Sequence, residues 1–270
     1  MAGPNPPDGA TITYFLKAKA GEKEDVKIAI TDASGAVVRE IKGPKEKGLN
    51  QASWDLRLEP PTAPRPVSEG ESFFGPPRGP LVSPGTYTAK VTLGSASATK
   101  PIAVEEDPRI KVGASERKEW EQAARQGARL WGRADAANRS LTALKKQLAD
   151  VQDSQKSAPD DVKAALKTLA DTVDGLARQI NRQEPLGFAG APLAEEPDPL
   201  LPRARGLYLA ISGITAAPTA PQRESLARVE KQVEAAVAAV NAVIEKSVPE
   251  MNRLLGERGV GRIDGGKPIP

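Results

Sequence analysis

Val26-Lys27-Ile28-Ala29-Ile30-Thr31-Asp32-Ala33-Ser34-Gly35-Ala36-Val37-Val38-Arg39 is the stretch on which the fold turns. Val26, Ile28 and Ile30 alternate with Lys27, Ala29 and Thr31. A period of two places the apolar set on one face of a strand and the remainder on the other. Asp32-Ala33-Ser34-Gly35 then supplies a tight turn, because Gly accepts a positive φ that other residues resist. Apolar residues resume at once in Val37 and Val38. Strand, turn and strand make a hairpin with one face suited to burial.

The same period continues outward. Ile12, Tyr14 and Leu16 share a face opposite Thr13, Phe15 and Lys17. Trp54, Leu56 and Leu58 alternate with Asp55, Arg57 and Glu59, a reading that puts Trp54 in mid-strand on the apolar face. Ser83-Pro84-Gly85 is a turn that launches a strand through Tyr87, Ala89, Val91 and Leu93. With strands near 36–41 and 100–105, six or seven short strands result, a number suited to a β-sandwich. Residues 59–84 interrupt the pattern with many prolines and Phe73-Phe74-Gly75. They read as a long loop between two strands.

After Glu105-Glu106-Asp107-Pro108-Arg109 the period changes. Trp120, Ala124, Gly127, Trp131, Ala134, Asn138 and Leu141 step by four and three. So do Val162, Leu166, Leu169, Val173, Leu176 and Ile180. A third set runs from Leu226 through Val229, Val233, Val237 and Val240 to Ile244, Met251 and Leu255. Each marks a helix with one apolar stripe. A shorter helix over about 203–216 uses Leu207, Ile211 and Ile214. Ser115, Ser157 and Thr219 are placed as N-caps, and Thr219 with Gln222 has capping-box spacing. The expected fold is α+β and multidomain: an N-terminal β-sandwich over 9–108, then an antiparallel α-helical bundle over 109–258. The Pro-rich stretch 185–202 would be its one long crossing, and from Gly256 onward a fraying, Gly-rich tail is expected.

Composition narrows the chemistry. The 270 residues are 39% hydrophobic and 27% charged, with a net charge of +3. That balance lacks the one-sided charge of a nucleic-acid binder. There is no His and no Cys. The commonest general base, the Ser-His-Asp and Cys-His arrangements, thiol nucleophiles and Cys- or His-based zinc sites are therefore unavailable. The opening Met1-Ala2-Gly3-Pro4-Asn5-Pro6-Pro7 lacks the basic and apolar regions of a signal peptide and reads as a linker. No apolar run approaches the ~20 residues of a membrane span.

Candidate sites are few. Glu105-Glu106-Asp107, Asp160-Asp161 and Glu195-Glu196 could supply the two acids of a glycosidase. They sit at a junction, a helix first turn and a loop, where solvation and the helix dipole account for them. The glycines from Gly256 to Gly266 follow a helix and lack the strand–loop–helix frame of a phosphate loop. Asp32–Gly35 lacks calcium-loop spacing. Trp54, Tyr87, Trp120 and Trp131 lie on apolar faces and read as core. Phe73 and Phe74 either pin their loop to the sandwich or contact a partner. No catalytic residue, metal or cofactor is expected.

One resemblance joins these pieces. The Val26–Arg39 hairpin, Gly48-Leu49-Asn50, Trp54-Asp55-Leu56-Arg57, Gly79-Pro80 and Pro84-Gly85-Thr86-Tyr87 resemble the Ig-like domain named after the flagellar hook-capping protein. The similar version lies near the C-terminus of bacterial BNR-repeat, sortilin-like β-propeller proteins, often labelled glycosyl hydrolases. Asp107-Pro108-Arg109 resembles that family's exit from the sandwich; the stretches 217–222 and 249–255 resemble its final helix. The resemblance implies a periplasmic or extracellular, non-catalytic accessory region, partnered by an upstream β-propeller or another envelope protein. The alternative is an independent carbohydrate- or protein-binding module using the 59–84 loop.

Overall fold

The computed structural model describes residues 9–62, 76–154, 158–182, 199–257 and 261–270. The chain is mixed α and β, with strands first and helices after. Among the described residues, six strands are β1 (Ala10–Leu16), β2 (Val26–Thr31), β3 (Val37–Gly43), β4 (Gly48–Trp54), β5 (Gly85–Leu93) and β6 (Ala96–Val104). They form two antiparallel sheets, one of β1 and β4, the other in the order β3-β2-β5-β6. The helices are α1 (Ala114–Ser154), α2 (Asp160–Asn181), α3 (Leu200–Ser212), α4 (Ala220–Ala242) and α5 (Val248–Gly256).

Contacts divide the chain into two compact units. The first holds residues up to Glu121 together with Thr215–Ala217, and the second holds the rest through Pro270. The first two turns of α1 thus belong to the strand-rich unit, where the Ser83 hydroxyl bonds the Glu121 carboxylate at 2.5 Å.

In the first unit the period of two becomes one core. Ile12 and Trp54 from the two-stranded sheet join Ile28, Ile30, Val38, Tyr87 and Ala89 from the four-stranded sheet. The hairpin turn forms as its chemistry dictates. Asp32 Oδ1 accepts from the Ser34 and Ala36 amides at 2.9 and 3.1 Å, and Gly35 takes φ 84°.

One strand is shorter than its alternation suggests. β4 ends at Trp54, which is the last residue of the strand rather than its middle. Leu56 adopts φ 57°, a conformation rare for a bulky residue. The cause is local: the indole N–H donates to the Arg57 carbonyl at 2.9 Å, curling 54–57 under the ring. Residues 56–58 then bond a different partner, through Leu58 N to Pro80 O and Val82 N to Leu56 O, each at 2.9 Å.

Helix ends depart from the sequence reading in three places. α1 starts at Ala114, so Ser115 lies inside it. The Gly113 carbonyl takes the first helical bond from Arg117, and Glu116 reaches back to the Gly113 amide. That is the half of a capping box that needs no hydroxyl. Ser157 lies outside the described residues, and Pro159 occupies the N-cap position of α2. α3 ends at Ser212, leaving Ile214 exposed; its buried stripe is Leu200, Ala204, Tyr208 and Ile211.

Thr219 does form the expected capping box with Gln222 on α4. Thr219→Ala removes the acceptor for the Gln222 amide and is expected to cost about 1 kcal/mol. Urea titration of the helical signal measures it, and Thr219→Ser should lose much less.

α4 runs into α5 through a π turn at Val243–Ser247. Pro249 explains it. Its missing N–H and its ring cannot be accommodated by regular helix bonding to Glu245. One widened turn, with the Val248 amide bonded to the Val243 carbonyl, absorbs the misfit while the apolar stripe continues.

Candidate functional site

The aromatics singled out from sequence are structural in position. Trp54 is fully buried, with its ring 5.2 Å from the Tyr87 ring in an edge arrangement. The Tyr87 hydroxyl donates to the Ser83 carbonyl at 2.8 Å. Trp120 is fully buried, with the Arg117 guanidinium 6.0 Å from its ring centre. Trp131 is buried against Tyr208, 5.4 Å between ring centres. Phe73 and Phe74 lie outside the described residues, as do Glu195 and Glu196.

Two of the three acids at the junction, Glu106 and Asp107, are paired with bases. Glu106 forms an ion pair with Arg117. Asp107 bonds the Arg109 side chain and amide, which holds its carboxyl down from 3.8 to about 2. A carboxyl that stays ionised at working pH is a poor general acid. An NMR titration should find Asp107 with a midpoint of about 2, and Arg109→Ala should return it toward the ordinary value. Because the folded value is depressed, the pair's stabilisation is present above the unfolded carboxyl's range and disappears as pH falls toward 2. Arg109 is exposed and Asp107 only partly covered, so solvent screens the pair and the contribution to stability is small.

The arrangement that sequence reading missed lies in the second unit. Residues 261–270 do not fray. Ile263 and Ile269 are buried to 2% and 7% exposure, while the residues flanking them are mostly exposed. Three side-chain amides hold the backbone. Asn252 on α5 donates to the Ile263 carbonyl at 2.8 Å and accepts from its amide at 2.7 Å. Gln147 on α1 does the same to Asp264, at 3.0 and 2.7 Å. Asn241 on α4 does so to Ile269, at 2.9 and 2.8 Å. Arg133 on α1 donates to the Pro270 carbonyl at 2.8 Å.

A carboxamide carries a donor and an acceptor side by side, as one edge of a peptide does. Pairing both with one residue reproduces the doubly bonded pair of an antiparallel ladder. Successive residues of an extended chain point their polar groups to opposite sides. Asn252 and Gln147 therefore take Ile263 and Asp264 from α5 and α1 respectively. Gly265 passes over the π turn, where an added Cβ would sit 3.3 Å from the Ile244 carbonyl oxygen. A cleft of about 420 Å³ remains between α1 and residues 264–270.

A signal for this was present. Asn is a poor helix former, yet Asn241 and Asn252 sit within helices. Among the described residues no group of His, Cys, Asp or Glu could hold a metal ion, and no helix is long and apolar enough to cross a membrane. No protein-family model, curated protein or solved structure matches the chain.

Proposed function

We propose that this chain is a non-catalytic accessory region, an Ig-like β-sandwich followed by an antiparallel helical bundle, whose work is to hold polypeptide and pack on or present a neighbouring domain. The neighbour is an upstream β-propeller of the BNR or sortilin-like kind, or another protein of the bacterial envelope, and the setting is periplasmic or extracellular. The observation that carries the reading is the set of carboxamides on α1, α4 and α5, each spent on the backbone of an extended segment. Groups that read peptide backbone serve chain–chain recognition. The pairing of Glu106 and Asp107 with arginines adds to it.

The test is an activity panel of glycosides and peptides on the purified chain. No turnover above buffer is expected. Turnover that co-purifies with the chain and disappears in Glu105→Gln or Glu106→Gln overturns the non-catalytic reading.

A further inference from the structure

Residues 261–270 are held the way a ligand is held. Among the described residues, their backbone makes no hydrogen bond to the backbone of the helices; the bonds run to Gln147, Asn241, Asn252 and Arg133. The backbone bonds of the helices run within the helices themselves and use no group of the segment. Only Ile263 and Ile269 enter the apolar interior, six residues apart. Between them, Gly265 passes close to the π turn, where a side chain would fit only if the Ile244 carbonyl gave by a few tenths of an ångström, and Asp264, Lys267 and Pro268 face solvent.

We propose that the helical unit carries a peptide-binding groove for extended segments of the pattern Ile-x-Gly-x-x-x-Ile, occupied here by the chain's own residues 261–270, and that the equivalent segment of a second copy binds it in trans. The inference deepens the reading of the helices as a holder of polypeptide. Backbone pairing by three carboxamides gives affinity without regard to side chains, and the two isoleucine sites with the glycine passage give specificity. The second copy is the occupant because it carries the matching segment by identity; exchanging an identical element between copies is a low-cost route to association. In the intact chain the short link after α5 keeps the segment at an effective concentration on the order of millimolar. Exchange between copies is therefore favoured at high protein concentration or once the link is cut.

A full-length chain with a specific protease site placed in the link between Glu257 and Gly261 tests this. After cleavage, a fluorescent peptide of residues 261–270 is added, and a second cleaved population with its own labelled segment is mixed in. The expected result is saturable exchange read by anisotropy, with helical circular dichroism retained. Asn241→Ala and Asn252→Ala should each weaken binding about ten-fold, equivalent to about 1.4 kcal/mol. Isoleucine-to-aspartate peptides at either anchor should not bind. Absence of exchange by a helical, cleaved protein overturns the proposal. So does loss of helical signal on release that added peptide does not restore, because the segment would then be core and not ligand. Either failure leaves the outcome of the activity panel unaffected, so failure of the groove and failure of the non-catalytic reading are told apart.

Discussion

Replacing Trp54 by alanine is expected to unfold the strand-rich unit while the ellipticity of the helices at 222 nm largely persists. Trp54 is fully buried at the end of β4, opposite Ala10 of β1, and joins the small sheet to the larger one through Tyr87. The cluster around it draws its residues from positions 12–89, with partly buried neighbours reaching Val104, so its loss falls on that unit. Truncating a buried aromatic costs roughly 3–5 kcal/mol, against a typical domain stability of about 5–15 kcal/mol. Two further losses add to the cavity: the bond from the indole to the Arg57 carbonyl, and the curl of 54–57 that this bond holds. Tyr87→Phe is the milder control. It keeps the ring contact with Trp54 and removes the hydroxyl bond to Ser83, a change of about 1 kcal/mol. Calorimetry of both variants checks the order. A Trp54→Ala protein with an unchanged strand-unit transition would show that the ring does not join the sheets.

What the sequence disclosed follows from how each element is stabilised. β2, β3 and the stripes of α1, α2 and α4 were legible because burial selects apolar residues at the element's own period, and the Ile28, Val173 and Val233 positions carry that period unbroken. The end of β4 was not. Leu56 and Leu58 continue the alternation, but one hydrogen bond from the Trp54 indole overrides it. Ser115 misled for a related reason. A hydroxyl near a helix start is a strong cap signal, yet Glu116 reaching the Gly113 amide satisfied the end two residues earlier. The groove was illegible because its elements have no period. Ile263 and Ile269 are two apolar residues in a run of Gly and Pro, and the one cue, asparagine inside helices at Asn241 and Asn252, does not say what those amides bind. Only the contacts reveal that these amides complement one another's target.

Removing the Asn252 side chain separates the two things that hold the segment, and its substitutions are expected to order themselves by hydrogen-bond polarity. Asn252→Ala leaves the Ile263 amide and carbonyl without their partner beside a side chain that is 2% exposed. A half-buried amide left unpaired costs about 1–3 kcal/mol, comparable with the lower end of the roughly 2–5 kcal/mol expected for Ile263→Ala. Asn252→Asp is the informative change. The carboxylate still accepts from the Ile263 amide, but it turns a second acceptor toward the Ile263 carbonyl where a donor stood. At neutral pH it should therefore lose at least as much as alanine. Protonating the new carboxyl restores a donor, so its folded pKa lies above the unfolded value. The deficit is then greatest above the folded pKa, shrinks as pH falls through it, and is smallest once pH is below the ordinary carboxyl range. Asn252→Ala has no such group, and its deficit should stay flat over the same window. Hydrogen exchange at the Ile263 amide reads the site itself, and urea midpoints of the helical signal across that pH range read its stability. Two variants with the same pH profile would show that the Asn252 donor does not hold the Ile263 carbonyl. A pH-dependent recovery in Asn252→Asp alone would establish that it does.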